Sequence, residues 1–254
     1  AVSDRVAAIF RSIVSGDRTG RPAWVKAIED GDDAGLFGPD SAPWVVHGNL
    51  ATLVGGVRAL LLQAIHPGAL AGVREHSRFE EDALGRLAGT TRWLVTLTFG
   101  CTDAAERESA RVRRMHDRVR GTYVHPDEPG VTRDYSAADQ DLLRWVHVAF
   151  TDSFLTAHLT WGGAIPGGPD AYVREWARAA ELLGLTDPPR SHRELTEQLR
   201  SFDHVLCAGD EAREVARFIL NPPLPLPAKP AYAVLAAGAI ATLPAGSIGR
   251  ASCR

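Results

Sequence analysis

Residues 111–120, Arg-Val-Arg-Arg-Met-His-Asp-Arg-Val-Arg, hold the densest chemistry of the 254-residue chain. At helical spacing Val112, His116 and Val119 share one face, with Met115 beside them. Arg111, Arg113, Arg114, Arg118 and Arg120 surround that stripe. One imidazole in an apolar seam, ringed by guanidinium groups, suits a haem: its nitrogen binds iron axially while arginines pair with the anionic propionates. The same pattern fits a core histidine bonded to a backbone carbonyl on a solvated basic helix. Spacing alone leaves both open.

His147 shares a face with Leu143, Phe150 and Phe154. His66 sits with Leu62, Ala69 and Val73, just before Pro67. That proline cannot donate to the carbonyl of Gln63, so a kink is expected beside the imidazole, as pocket wall or as packing adjustment. Further along, Arg86, Thr90, Trp93 and Leu97 form one stripe, and Leu87, Thr91 and Leu94 the next. An Arg and two Thr there supply hydrogen-bond donors for a bound oxygen or a developing oxyanion. Equally, the threonines can bond back to carbonyls one turn earlier. His47, His125, His192 and His204 fall in loops or polar stretches and read as surface residues.

Other chemistries lack their residues. There is no GxxxxGK[ST] and no GxGxxG, and the segment 245–249 misses the first Gly of a nucleophile elbow. No Glu has a His three residues on, and the nine His never fall three or four apart. Neither a di-iron carboxylate pair nor two ligands from adjacent turns of one helix can therefore be assembled, while a mononuclear non-haem site built from distant helices stays open without support from the spacing. Three cysteines form no CxxC, which argues against structural zinc and, without CxxCH, against covalently attached haem. They read as reduced thiols of a cytoplasmic protein.

With 28 Lys+Arg against 31 Asp+Glu the formal charge is −3, which argues against nucleic acid as a partner. The apolar stretch after Lys229 is Ala/Gly-rich and broken by Pro244, so no transmembrane segment is expected.

Period-3.6 spacing recurs almost everywhere and period-2 alternation is nearly absent. Helices are expected over residues 4–14, 23–29, 49–75, 84–99, 103–121, 136–159, 171–183 and 195–207, with a loop at 122–136. Capping boxes are expected at Asp103/Glu106 and Ser191/Glu194. A Pro-rich spacer at 221–230 precedes a last apolar helix, which is expected to dock on the chain's own core. The fold class is all-α: one multi-helix domain over 1–220 and a C-terminal arm over 221–254.

The order of these features resembles a known family. Leu60-Leu-Leu-Gln-Ala-Ile-His-Pro67, Gly72-Val73, His76, Arg86 with Thr90-Thr91, Phe99-Gly100, the run 111–116, Tyr135-Ser-Ala and Leu143-Arg-Trp-Val-His147 are similar to the mpaB-type and bacterial latex-clearing rubber oxygenases, over roughly residues 38–230. The resemblance implies an all-helical fold with a globin-like core around non-covalent haem b. It puts the axial ligand at His116 and the distal Arg and Thr at Arg86 and Thr90, with Thr91 a second candidate. A distal Lys would fall near Gly89, where this sequence has none, which implies an open or water-bound sixth position and puts activity on polyisoprene in doubt.

Together these readings point to a haem oxygenase or related oxidoreductase acting on an apolar small molecule with dioxygen or peroxide, supplied by an electron donor. His66 and His147 would line or brace the pocket, and Arg113, Arg114 and Arg120 would pair with propionates. A haem-binding or haem-sensing protein without turnover, and a cofactor-free helical module, are the alternatives.

Overall fold

The computed structural model describes residues 22–244 except 30, 32, 77, 78 and 129, with isolated positions before 22. For 26, 27, 29 and 79–87 it describes the backbone alone. The helix expected over 4–14 lies outside the described residues.

Eleven helices are present among the described residues, and the chain folds as a mostly helical single domain. They are α1 (Ala23–Glu29), α2 (Ala42–Gly48), α3 (Ala51–Ala64), α4 (Pro67–His76), α5 (Phe79–Phe99), α6 (Thr102–His116), α7 (Gln140–Trp161), α8 (Gly168–Leu182), α9 (His192–Ser201), α10 (Asp210–Leu220) and α11 (Lys229–Ala241). Between α6 and α7 lies one antiparallel hairpin, β1 (Arg120–Val124) and β2 (Thr132–Ser136), with Thr122 opposite Asp134.

That hairpin corrects the expected loop at 122–136 and the expected end of α6. The strands are only five residues each and carry Arg and Asp among their apolar residues, so no period-2 pattern stands out. Their cohesion is tertiary. Tyr135 is buried against α4, and its hydroxyl donates to Glu75 Oε2 at 2.5 Å. Helix α6 accordingly stops at His116 rather than continuing to Gly121, and Arg120 belongs to a strand.

Caps show the same division. Ser191 Oγ accepts from the Glu194 N–H, as the capping box requires, while Glu194 Oε2 reaches back to the Arg190 N–H. The Asp103/Glu106 box does not form; Cys101 is the N-cap residue and Asp103 pairs with Arg107 instead. Ser136, where the next helix was expected to begin, lies before α7. It forms a turn with Asp139, the N-cap residue, whose Oδ2 accepts from the Ser136 N–H. Cys207 is disulfide-bonded and Cys101 free, so the expectation of reduced thiols is not met. Cysteine spacing is blind to pairs that only folding brings together.

Helices α3 and α7 cross at the centre, with Leu62, Trp145, Val148, Phe154 and Leu155 in the core between and around them. Gly55 permits the close approach: a Cβ there would stand 2.7 Å from Phe154 Cδ1 and 3.0 Å from its Cα. Gly55→Ala is expected to cost about 1–3 kcal/mol by overpacking, read as a lower urea midpoint. An unchanged midpoint would mean that the two helices can slide apart freely.

The arm is docked. Tyr232, Leu235 and Ala239 of α11 pack with Val54, Val57 and Leu61 of α3, and Gly238 abuts Val54 and Trp161. Arg58, 2% exposed, ties it down: Nε donates to the Thr242 carbonyl at 3.1 Å, and Nη2 pairs with Asp152 at 2.7 Å. No single described helix is long and apolar enough to cross a membrane.

Candidate functional site

The helix break at His66-Pro67 positions one wall of the site. Pro67 opens α4 at the position where its missing N–H costs nothing, and His66 Nδ1 accepts from the Ala69 N–H at 3.3 Å. His66 is thus the N-cap of α4. Its ring packs toward Trp145 and Phe202, behind the cavity wall rather than on it.

From α4 the face Ala69, Gly72, Val73 and His76 opens onto a cavity of about 510 Å³, within the range of small-molecule and cofactor pockets. Helix α5 contributes Gly89, Thr90 and Trp93; α6 contributes Arg111, Val112, Met115 and His116. Helix α7 adds Leu143, Val146, His147 and Phe150, and α8 adds Trp176. The walls are mainly apolar, with few polar groups aimed inward. Trp93 and Gln63 are among the lining residues, and their Nε1 and Nε2 are buried donors without a hydrogen-bond partner in the protein.

The cationic side of the cavity is built on α6. Glu108, 4% exposed, accepts from Arg111 Nε on both oxygens and from Nη2 on Oε1, and Arg92 Nη2 lies 2.9 Å from Oε2. Two guanidinium groups face one carboxylate, so the cluster carries a net positive charge. Hydrogen bonding to Glu108 raises the pKa of Arg111 further.

Each expected site residue now has a place. His116, His147 and Thr90 come together on the cavity. Thr91 is half-buried on α5 but is not part of the lining, and Arg86 lies on the α5 backbone one turn before Thr90. Arg113, Arg114 and Arg120 are exposed and outside the lining; Arg120 Nη2 donates to the Asp117 carbonyl. Arg111 is the inward arginine, and spacing could not single it out among five neighbours. His76, which the sequence gives no role beyond the order of motifs, lines the cavity, and its Nε2 donates to the Arg120 carbonyl at 3.0 Å.

Two histidines read as surface residues are buried. His47 packs among Phe154, Tyr172 and Trp176, because α2 is a helix in a stretch between the expected helices at 23–29 and 49–75. His125 is held at the hairpin by Val205, whose carbonyl accepts from Nε2. His192 and His204 are exposed as expected.

Burial lowers the pKa of His47 to about 3, with neighbouring His158 adding to the effect, and that of His147 to about 3. Burial likewise brings His66 down to about 4. All three are neutral in the folded protein while the unfolded chain titrates near 6.5. The unfolded state thus binds more protons between about pH 6.5 and 4, so their contribution is complete above 6.5 and is lost as pH falls. Each contributes a slope of about 1.4 kcal/mol per pH unit in that window. Melting temperature should therefore drop steadily from pH 6.5 to 4, less steeply in His66→Asn, which retains a cap. Equal melting at pH 7 and 4.5 would show these imidazoles are not buried neutral.

Residues 44–247 match the family described as ER-bound oxygenase mpaB/B'/rubber oxygenase, catalytic domain. The chain belongs to this family. No curated protein and no solved structure matches it. Membership in the mpaB/rubber oxygenase family makes the domain an oxygenase catalytic domain and supports an oxidoreductase. The matched span takes in every cavity-lining residue. At Gly89 nothing lies within 4 Å of where a Cβ would stand.

Proposed function

We propose that the chain is a haem-b-dependent oxygenase that oxidises an apolar small molecule in this cavity. The observation that carries this reading is one apolar cavity, inside an oxygenase domain, onto which His116, Thr90 and Arg111 converge. The residues fit the group. No cluster of three or more His, Cys, Asp or Glu able to hold a metal occurs among the described residues, whereas a porphyrin's iron asks the protein for a single imidazole. The Arg92–Glu108–Arg111 cluster offers the positive charge a propionate needs.

When bound, haem supplies one-electron chemistry and the activation of dioxygen or peroxide. His116, the last residue of α6, holds it from the protein side. His147 is steered differently: the Thr151 hydroxyl donates to the His147 carbonyl at 2.7 Å, leaving its lone pair to accept from Nε2 at 3.5 Å. Its role is to brace the wall. Thr90 donates a hydrogen bond to an oxygen atom that becomes negative during reaction, a role the family resemblance extends to Arg86. Val73, Val112, Val146 and Phe150 exclude water and select an apolar substrate. An external electron donor completes the cycle if dioxygen is the oxidant.

Titrating the apo-protein with haemin tests the reading. A stoichiometric b-type Soret band, followed by oxygen or peroxide consumption that depends on an apolar substrate, is expected. A Soret band with no turnover across a broad apolar panel would indicate a haem-binding protein. No band at all would sink the haem reading.

A further inference from the structure

From the cavity wall inward runs a file of aromatic rings that packing alone does not account for. Trp93 and Trp176 both line the cavity, with centroids 6.0 Å apart in a T-shaped pair. The Trp176 ring is 4.5 Å from that of His47, and His47 is 5.6 Å from Tyr172, one turn before Trp176 on α8. The Tyr172 hydroxyl lies 3.3 Å from His47 Nε2, with no exposed surface on Tyr172 and little on Trp176. Indole and phenol are the most easily oxidised side chains after the sulfur-containing ones, and the rings are in near contact from the cavity inward. Packing would be satisfied by Phe at 172. A hydroxyl facing an imidazole in the deepest part of the core is the extra element.

We infer that Trp93, Trp176 and the Tyr172–His47 pair form an internal electron relay that lets Tyr172 reduce a one-electron oxidant generated in the cavity. The inference rests on the oxygenase reading above. One electron leaves Tyr172 through Trp176 to the oxidant, which is reduced. The phenolic proton moves from Tyr172 Oη to His47 Nε2, leaving a neutral tyrosyl radical beside an imidazolium. An external one-electron reductant restores Tyr172, and the proton returns. Proton transfer over one hydrogen bond moves the positive charge from the strongly acidic phenol radical cation to the more basic imidazole, which is why the base must be adjacent. Both partners rest in the required state: burial keeps His47 neutral and raises the Tyr172 pKa well above its ordinary value, so the phenol holds its proton. Burial also shields a radical at Tyr172 from water. Such a relay removes oxidising equivalents that fail to reach substrate, before they attack the cavity wall.

Tyr135 is the competing donor, since it lines the cavity and its hydroxyl donates to Glu75. The experiment is freeze-quench electron paramagnetic resonance on haemin-reconstituted full-length protein mixed with hydrogen peroxide and no substrate. A tyrosyl signal is expected in the wild type and in Tyr135→Phe, and its loss in Tyr172→Phe. Trp176→Phe should remove most of the signal. His47→Gln keeps an acceptor for the hydroxyl but no base, and should also abolish it, a result that mere packing does not predict. Circular dichroism and Soret intensity establish that each variant is folded and loaded. Loss of the signal in Tyr135→Phe instead, an undiminished signal in Tyr172→Phe, or a loaded wild type with no tyrosyl radical would each overturn the relay and leave the oxygenase reading standing. A wild type that takes up no haemin overturns both.

Discussion

His116→Ala is expected to lose haem while keeping its fold. Replacing residues that merely orient a metal ligand typically weakens metal binding 10–100-fold, so losing the ligand itself should exceed about 100-fold, or roughly 2.7 kcal/mol. The apo-protein's helical circular dichroism and urea midpoint should stay near wild type, since His116 ends a helix and is only half-buried. Haemin titration should give a weak, broad Soret band, and added imidazole should restore part of it by filling the vacated position. His147→Ala provides the comparison. It truncates a buried wall residue, so it should cost stability yet retain stoichiometric haem. Full haem occupancy in His116→Ala, with loss in His147→Ala, would move the ligand to α7.

Arg58→Met is expected to be the most damaging substitution away from the cavity. Arg58 joins α3 to Asp152 and Ser153 of α7 and to the Thr242 carbonyl just after α11. Removing one member of a buried ion pair leaves the other charge unpaired, at a cost of about 3–5 kcal/mol. For a chain of this size that corresponds to a Tm lower by roughly 6–20 °C. Arg58→Lys should recover little, because one ammonium cannot serve acceptors in three directions. Arg58→Met with Asp152→Leu should recover most of the loss by removing both charges. A loss under about 1 kcal/mol in Arg58→Met would show that water reaches Asp152. Amide exchange in α11 should quicken in Arg58→Met even where global unfolding is suppressed, because the clamp on the arm is gone.

Helical content was legible because it is local: period-3.6 stripes in α5, α7 and α8 are long and face a single core. The Ser191/Glu194 cap and the break at His66-Pro67 were legible for the same reason, since their partners lie within four residues. The hairpin was not. Its strands gain cohesion from each other and from Tyr135 meeting Glu75, a contact spanning 60 positions. His47 was misread because its neighbours in sequence are a short helix after a breaker-rich run, while its neighbours in space come from α7 and α8.

At the site, residue types and their order were enough to nominate His116, Thr90 and His147 and to suggest the oxygenase family. Composition and spacing also set limits: no phosphate-cradling loop, no adjacent-turn metal chelate, no thioether-bound haem. Which side chains share the cavity was decided by tertiary structure alone. Five arginines lie between 111 and 120, and only the packing of α5 against α6 around Glu108 turns Arg111 inward and leaves Arg113, Arg114 and Arg120 in solvent. His66 likewise spends its ring nitrogen on a helix cap and stands behind the wall. Helical periodicity specifies a face of a helix, not what that face meets. The meeting is set by interhelical packing and by the cost of burying an unpaired charge, and both depend on residues far apart in the chain.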